Sequence, residues 1–142
     1  MTPSLRGTRT LENLKVGFLR EAHANLRYHF FARRADVKRL HEVAQLLRSA
    51  AEEEMGHAFG HLDLLLDFGG EEPYLVCERL EDNLKSAIEA ELHEFTTLYT
   101  GFAEIAQEEG FHDVARWFLE LAKAGRTHAI WFQECLEKLE RQ

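Results

Sequence analysis

The feature that most constrains this chain is that it states one pattern twice. "NLK" at 13–15 returns at 83–85, and Glu21 returns as Glu91, each seventy residues on. A one-residue insertion then moves the spacing to seventy-one. "HEVA" at 41–44 returns as "HDVA" at 112–115, and "AAEEEMGHA" at 50–58 lies over "LAKAGRTHA" at 121–129. His57 falls on His128, Tyr28 on Tyr99, and Glu54 on Gly125. A repeat of this length predicts one supersecondary unit built twice.

That unit reads as a helical hairpin. Apolar residues recur at steps of three and four along four stretches, the period of a helix face. The first helix opens with Thr10 as N-cap and ends near Asp36, and the short "DVKRL" joins it to a second, about His41 to Phe68. The third runs from about Glu81 to Glu109 and stops at Gly110; the fourth fills Phe111 to the end. Between the second and third lies the one long connection, "GGEEPYLVCERL", with Gly69, Gly70 and Pro73. Short links join antiparallel neighbours, whereas a link of this length can cross a bundle. Two hairpins and one crossover predict an all-α, ferritin-like four-helix bundle, a single domain over 1–142.

The inward face of the first helix carries Leu14, Phe18, Glu21, Asn25 and Tyr28, and that of the second Leu47, Ala50, Glu54, His57, His61 and Leu64. The third offers Leu84, Ala87, Glu91, Glu94 and Leu98, and the fourth includes Phe118, Leu121, Gly125, His128 and Phe132. Carboxylates and imidazoles therefore lie on apolar stripes. A Glu from each of two helices, with Glu-x-x-His from each of the other two, is the ligand set of di-iron and di-manganese bundle proteins. Residues three apart share a helix face, so a carboxylate oxygen and an imidazole nitrogen can reach the same ion. The metal ligands expected on this pattern are Glu21, Glu54, His57, Glu91, Glu94 and His128. Glu94 has no acidic mate, its counterpart being Ala24.

Each residue alone would be weak ground. A single inward Glu commonly snorkels from a helix end, and a single inward His is more often a core residue than a ligand. Four carboxylates on one seam differ, because burial and mutual repulsion would force them toward the neutral form unless cations held them. His23, His29, His41 and His112 fall off the seam or near loops and read as surface groups; His61 and His93 stay open. Tyr28 and Tyr99 read either as core hydrogen bonders or as groups that support the ligands and the chemistry beside them.

Composition bounds the function from the other side. With 142 residues, 45% of them apolar, the chain can bury a real core. Its net charge of −8 argues against nucleic acid or an anionic membrane as partner. No stretch approaches the roughly 20 apolar residues of a membrane span, and "MTPSLRGTRT" lacks a signal core, so a cytoplasmic protein is expected. Cys77 and Cys135 form no Cys-x-x-Cys pair and predict neither a metal knuckle nor a disulfide framework.

The stretches "GTRTLENLKVGFLREAHANLRYHFFARRAD", "AEEEMGHAFGHLDLL", "LKSAIEAELHEFTTLYTGFAEIAQEEGF" and "WFLELAKAGRTHA" resemble rubrerythrins, in particular short sulerythrin-like members without a rubredoxin tail. The likeness covers nearly the whole chain. It implies that the carboxylates at Glu21, Glu54, Glu91 and Glu94, with His57 and His128, hold two irons. It also implies a homodimer with exchanged helix pairs, and reduction of hydrogen peroxide or oxidation of Fe(II). Since the chain has no Cys-x-x-Cys pair, electrons would come from an external rubredoxin-like donor. The ligand chemistry itself leaves Mn or Zn open beside Fe.

Three departures from the family pattern bear on that reading. The family has Glu, normally a bridge between the irons, where this chain has Gly125; glycines before the first- and third-helix ligands are Arg20 and Ala90; and a Tyr between the third-helix ligands is His93. With Glu21, Glu54, Glu91 and Glu94 ionised, the site carries enough negative charge for two divalent ions but is poorer for two ferric ones. Gly125 then reads as a vacated bridging position, open to water, an external carboxylate or a swung side chain such as His93, and Gly125→Glu is expected to restore the bridge. Three functions fit: a rubrerythrin-type peroxide reductase or ferroxidase, a non-catalytic or weakly active metal-binding relative with an altered or single-ion site, and a structural bundle with a vestigial site.

Overall fold

A computed structural model describes residues 3–142. Among them are two helical hairpins and no strand beyond one isolated antiparallel bridge, Glu72 to Val76. The first hairpin is α1 (Arg9–Val37) and α2 (His41–Asp67). The second is α3 (Leu80–His93), a π-helical turn (Glu94–Leu98), α4 (Tyr99–Glu108) and α5 (His112–Glu140). The chain divides into two compact units, one ending at Val76 and one beginning at Cys77, and each holds one hairpin. This is the all-α, ferritin-like organisation of two repeated hairpins and a long connection that the sequence predicts.

Small residues at heptad spacing close each hairpin. Along α2 the buried positions are Ala44, Ala51, Ala58 and Leu65; along α5 they are Ala115, Ala122, Ala129 and Leu136, with Gly125 between the last two alanines. A seven-residue step keeps one narrow stripe facing a neighbouring helix, and alanine lets the two backbones approach closely. The facing helix answers in kind. Ala32 and Ala35 of α1 cluster with Ala44, and Leu47 packs beside them; Ala103 and Ala106 of α4 cluster with Ala115, beside Phe118. Every one of these residues is the repeat mate of its counterpart at a spacing of seventy-one.

The inserted residue of the repeat has a definite place. The spacing changes between the pair Glu21/Glu91 and the pair Tyr28/Tyr99, and the π turn lies between Glu91 and Tyr99. There the Glu94 N–H is shared by the carbonyls of Ala90 and Glu91, and the Tyr99 N–H reaches back five residues to the Glu94 carbonyl. A π turn absorbs one extra residue without putting the flanking helix out of phase, so the alanines beyond it return to the seam.

The helix ends refine the boundaries read from sequence. Thr8, not Thr10, is the N-cap of α1: its hydroxyl accepts the Leu11 N–H at 3.1 Å. The ladder can begin earlier because Thr8 has an extended backbone and its side chain satisfies a donor of the first turn. Both hairpin turns close on the same motif. Leu40 N–H bonds to Ala35 O at 2.9 Å across Arg39, and Phe111 N–H bonds to Ala106 O at 2.8 Å across Gly110, with φ of +60° and +88° at the two central residues.

Candidate metal centre

In the first hairpin, α1 supplies Glu21 and α2 supplies Glu54 and His57, three residues apart on one face. His57 Nδ1 lies 3.6 Å from Glu21 Oε2 and 3.7 Å from Glu54 Oε2. One ligand atom from each of the three falls within 4.8 Å of the others, the single such group of three found among the described residues. Glu21 and Glu54 are half-buried, and His57 is exposed. Next to this group, Asn25 of α1 donates from Nδ2 to the Ala51 carbonyl of α2 at 2.7 Å, which ties the turns that carry Glu21 and Glu54 together. One turn on, His61 donates from Nδ1 to the His57 carbonyl at 2.6 Å, and its ring lies where a side chain on Gly17 would be. Two carboxylates and an imidazole are a donor set suited to a divalent transition metal such as iron, manganese or zinc.

The second hairpin repeats the arrangement with one member changed. Glu91 of α3 and His128 of α5 meet at 3.4 Å, Oε1 to Nδ1, as their mates Glu21 and His57 do. Glu94 opens the π turn. Burial pushes its carboxyl above the usual carboxylate range and the Glu91 carboxylate adds to the rise, while His128 and His93 oppose it. The charged form of Glu94 is therefore less favoured in the metal-free hairpin than that of a free carboxyl, and a bound cation would oppose that effect.

Gly125 is buried, and the space beside it is filled. A Cβ built there would lie 2.9 Å from the Glu91 carbonyl oxygen, 3.4 Å from Glu91 Oε2 and 3.5 Å from the Phe95 backbone nitrogen. The side chain that reaches this spot is Glu91 rather than His93, which is exposed at the end of α3.

His23, His29, His41 and His112 are exposed, in keeping with a surface role. The Tyr99 ring stacks on Phe118 and meets Phe102 edge-on, both at 5.8 Å, and Tyr28 lies 6.5 Å from Phe31. The alanine seam lies beside the inward faces expected from periodicity: Ala51, not Ala50, is buried in α2. The signal was present as Ala at 44, 51 and 58 and again at 115, 122 and 129.

The chain's likeness to known proteins extends over most of its length. The sequence model of the Rubrerythrin family matches residues 12–79 and 82–142. A rubrerythrin of Porphyromonas gingivalis is 33% identical over 132 residues, covering 90% of this chain and 66% of that protein. One from Clostridium perfringens is 34% identical over 145 residues, 96% of this chain and 74% of its own length. Nigerythrin of Nitratidesulfovibrio vulgaris is 30% identical over 125 residues, 84% of this chain and 62% of that protein. The chain thus spans roughly two thirds of the length of these relatives.

Proposed function

The chain belongs to the rubrerythrin family, and from that premise we propose a non-haem di-iron carboxylate protein of rubrerythrin type that reduces hydrogen peroxide or oxidises Fe(II). The observation that carries the proposal is the convergence of Glu21, Glu54 and His57 within 4.8 Å on one hairpin, repeated as Glu91 with His128 on the other. In this reading Glu21, Glu54 and His57, with Glu91, Glu94 and His128, are the ligands. Bound as a ferrous pair, iron would supply the two electrons that hydrogen peroxide takes up, with two protons from solvent, on becoming two waters.

The protein's own part is to place the donors. Carboxylates on neighbouring helices offset the charge of the cations, and the Glu-x-x-His spacing fixes oxygen and nitrogen on one face. Asn25 holds the first pair of ligand turns in register. Glu94, whose carboxyl burial and the Glu91 carboxylate push above the ordinary range in the metal-free hairpin, would be held in its charged form by a bound cation. Tyr28 and Tyr99 serve as supporting hydrogen-bond donors whose rings are fixed by aromatic neighbours. An external donor of rubredoxin type returns the electrons, and the working form is a homodimer with exchanged helix pairs.

Anaerobic titration tests the proposal. The protein should take up about two Fe(II) per chain and consume hydrogen peroxide in proportion to the iron loaded. Glu54→Ala should abolish uptake of both ions and His128→Ala mainly one, because a central carboxylate can serve two ions and a terminal imidazole only one. Full uptake by both variants would overturn the assignment. Stable uptake without peroxide consumption or Fe(II) oxidation would leave the non-catalytic metal-binding reading in its place.

A further inference from the structure

In the first hairpin the imidazole of His57 faces two carboxylates, Glu21 from the opposite helix and Glu54 from its own. In the second, His128 has the repeat mate of the first, Glu91, and in place of the other a buried glycine. The missing side chain has left no gap. The nearest atoms to a Cβ at Gly125 are the carbonyl oxygen of Glu91 at 2.9 Å and its Oε2 at 3.4 Å, with the Phe95 nitrogen at 3.5 Å. Two of these three atoms are backbone, and they sit at the mouth of the π turn, where the Glu91 carbonyl already shares the Glu94 N–H with Ala90. A flexible side chain could move aside, whereas this backbone could not without disturbing the turn.

We propose that Gly125 is a positioning residue for Glu91: by presenting no Cβ, it lets α5 lie against the backbone of α3 at the π turn, so that the Glu91 carboxylate rests over Gly125 and reaches His128. One carboxylate thereby occupies, in the second hairpin, the ground that Glu21 and Glu54 share in the first. The inference rests on the di-metal reading for its consequence in metal binding, but its steric part concerns the metal-free protein alone. It reverses the expectation that Gly125→Glu refills an open ligand position. Any side chain at 125 should instead push Glu91 away from His128.

The experiment compares Gly125→Ala and Gly125→Glu with Gly101→Ala, a control within α4 where a Cβ would meet nothing within 4 Å. Alanine is the better helix former, so Gly101→Ala should raise the unfolding midpoint of the metal-free protein. Gly125→Ala and Gly125→Glu should lower it. With Co(II) as the probe, both Gly125 variants should bind roughly ten-fold or more weakly than wild type and show an altered d–d absorption spectrum, a signature that a purely structural change elsewhere would not move. In a Glu91→Ala background the Co(II) penalty of Gly125→Ala should vanish, while its effect on the metal-free midpoint persists because the clash is with the Glu91 carbonyl. A Gly125→Ala protein as stabilised as the control, or a Gly125→Glu protein that binds Co(II) more tightly, would overturn the proposal. Should the wild type bind no Co(II), the di-metal reading fails, and the metal-free midpoints still decide whether Gly125 is a seat.

Discussion

The two hairpins share one frame and differ where the frame meets Glu54, Gly125 and Glu94. Ala44, Ala51, Ala58 and Leu65 in α2 have exact repeat mates in α5, all buried. The closing turns carry the same hydrogen bonds. The differences are a π turn in place of straight helix, a glycine in place of Glu54, and a different set of ion pairs near the turn. Backbone-to-backbone packing leaves little freedom in size at the seam, so the two copies agree there. The copies diverge beside the π turn, where the backbone path itself differs and Gly125, against the Glu91 carbonyl and the Phe95 nitrogen, stands in place of Glu54. In the second hairpin the divergences are adjacent: the extra residue opens with Glu94, and the glycine sits against Glu91, three residues before it.

Deletions should separate the hairpins most strongly. Removing Thr97 from the π turn takes out the surplus residue, leaving ordinary α-helix with Ala103 and Ala106 still on the seam. Removing Ala24 from α1, which has no surplus, turns everything beyond it by about 100° and carries Ala32 and Ala35 off Ala44. The first protein should keep wild-type helicity and a cooperative urea transition. The second should lose several kcal/mol, on the order of 3–5, as for other core disruptions. Circular dichroism and urea unfolding measure both, and equal losses would show that the π turn does not absorb the insertion.

The same pair of deletions shows what the sequence could and could not reveal. The insertion was legible, since Glu21/Glu91 and Tyr28/Tyr99 differ in spacing by one residue. Its form was not, because a π turn and a break within the helix change the count identically. Helix number, approximate bounds and the pairing of Glu54 with His57 followed from periodicity, which depends on local geometry alone. The filling of the Gly125 site did not follow, because it depends on where the backbone of another helix runs. The seam escaped notice for a related reason: alanine contributes little to an apolar stripe, and its importance comes from how closely it lets two helices approach.

A smaller difference lies in the closing turns. Arg39 holds the left-handed conformation, φ +60°, that Gly110 holds in the second hairpin at +88°. A side chain in that conformation costs roughly 1–2 kcal/mol, and glycine avoids it at some cost in unfolded-state entropy. Arg39→Gly should therefore raise stability by about 0.5–1 kcal/mol, and Gly110→Ala should lower it by about 1 kcal/mol. Urea midpoints at unchanged slope measure both shifts. A destabilised Arg39→Gly protein would mean that the arginine side chain contributes more to the first turn than its backbone strain removes.

The smallest expected difference is electrostatic. Asp36, in the last turn of α1, accepts from Arg48 Nη1 at 2.8 Å and lies 3.4 Å from His41 Nδ1, so it links the two helices of the first hairpin. Its mate in the second hairpin is Gln107, and Arg48 is matched by Leu119. There the nearby ion pair, Arg116 with Asp113, lies within α5 and joins no two helices. The Arg48 hydrogen bond, with a smaller contribution from His41, holds the Asp36 carboxyl below its ordinary 3.8 against the opposing effect of burial. A depressed folded value means that the charged form favours the folded chain. The contribution is fully present above the ordinary value and disappears as pH falls through the depressed one. Asp36→Asn should thus lower the melting temperature slightly near neutral pH, and the gap to wild type should close on acidification below the usual carboxylate range. Because the groups are exposed, added salt should also shrink the gap. Gln107→Asn, the matched change in the second hairpin, should show neither the pH nor the salt dependence. If the gap for Asp36→Asn stays constant from neutral to acid, Asp36 acts through packing or hydrogen bonding alone, and this contrast between the hairpins is not one of charge.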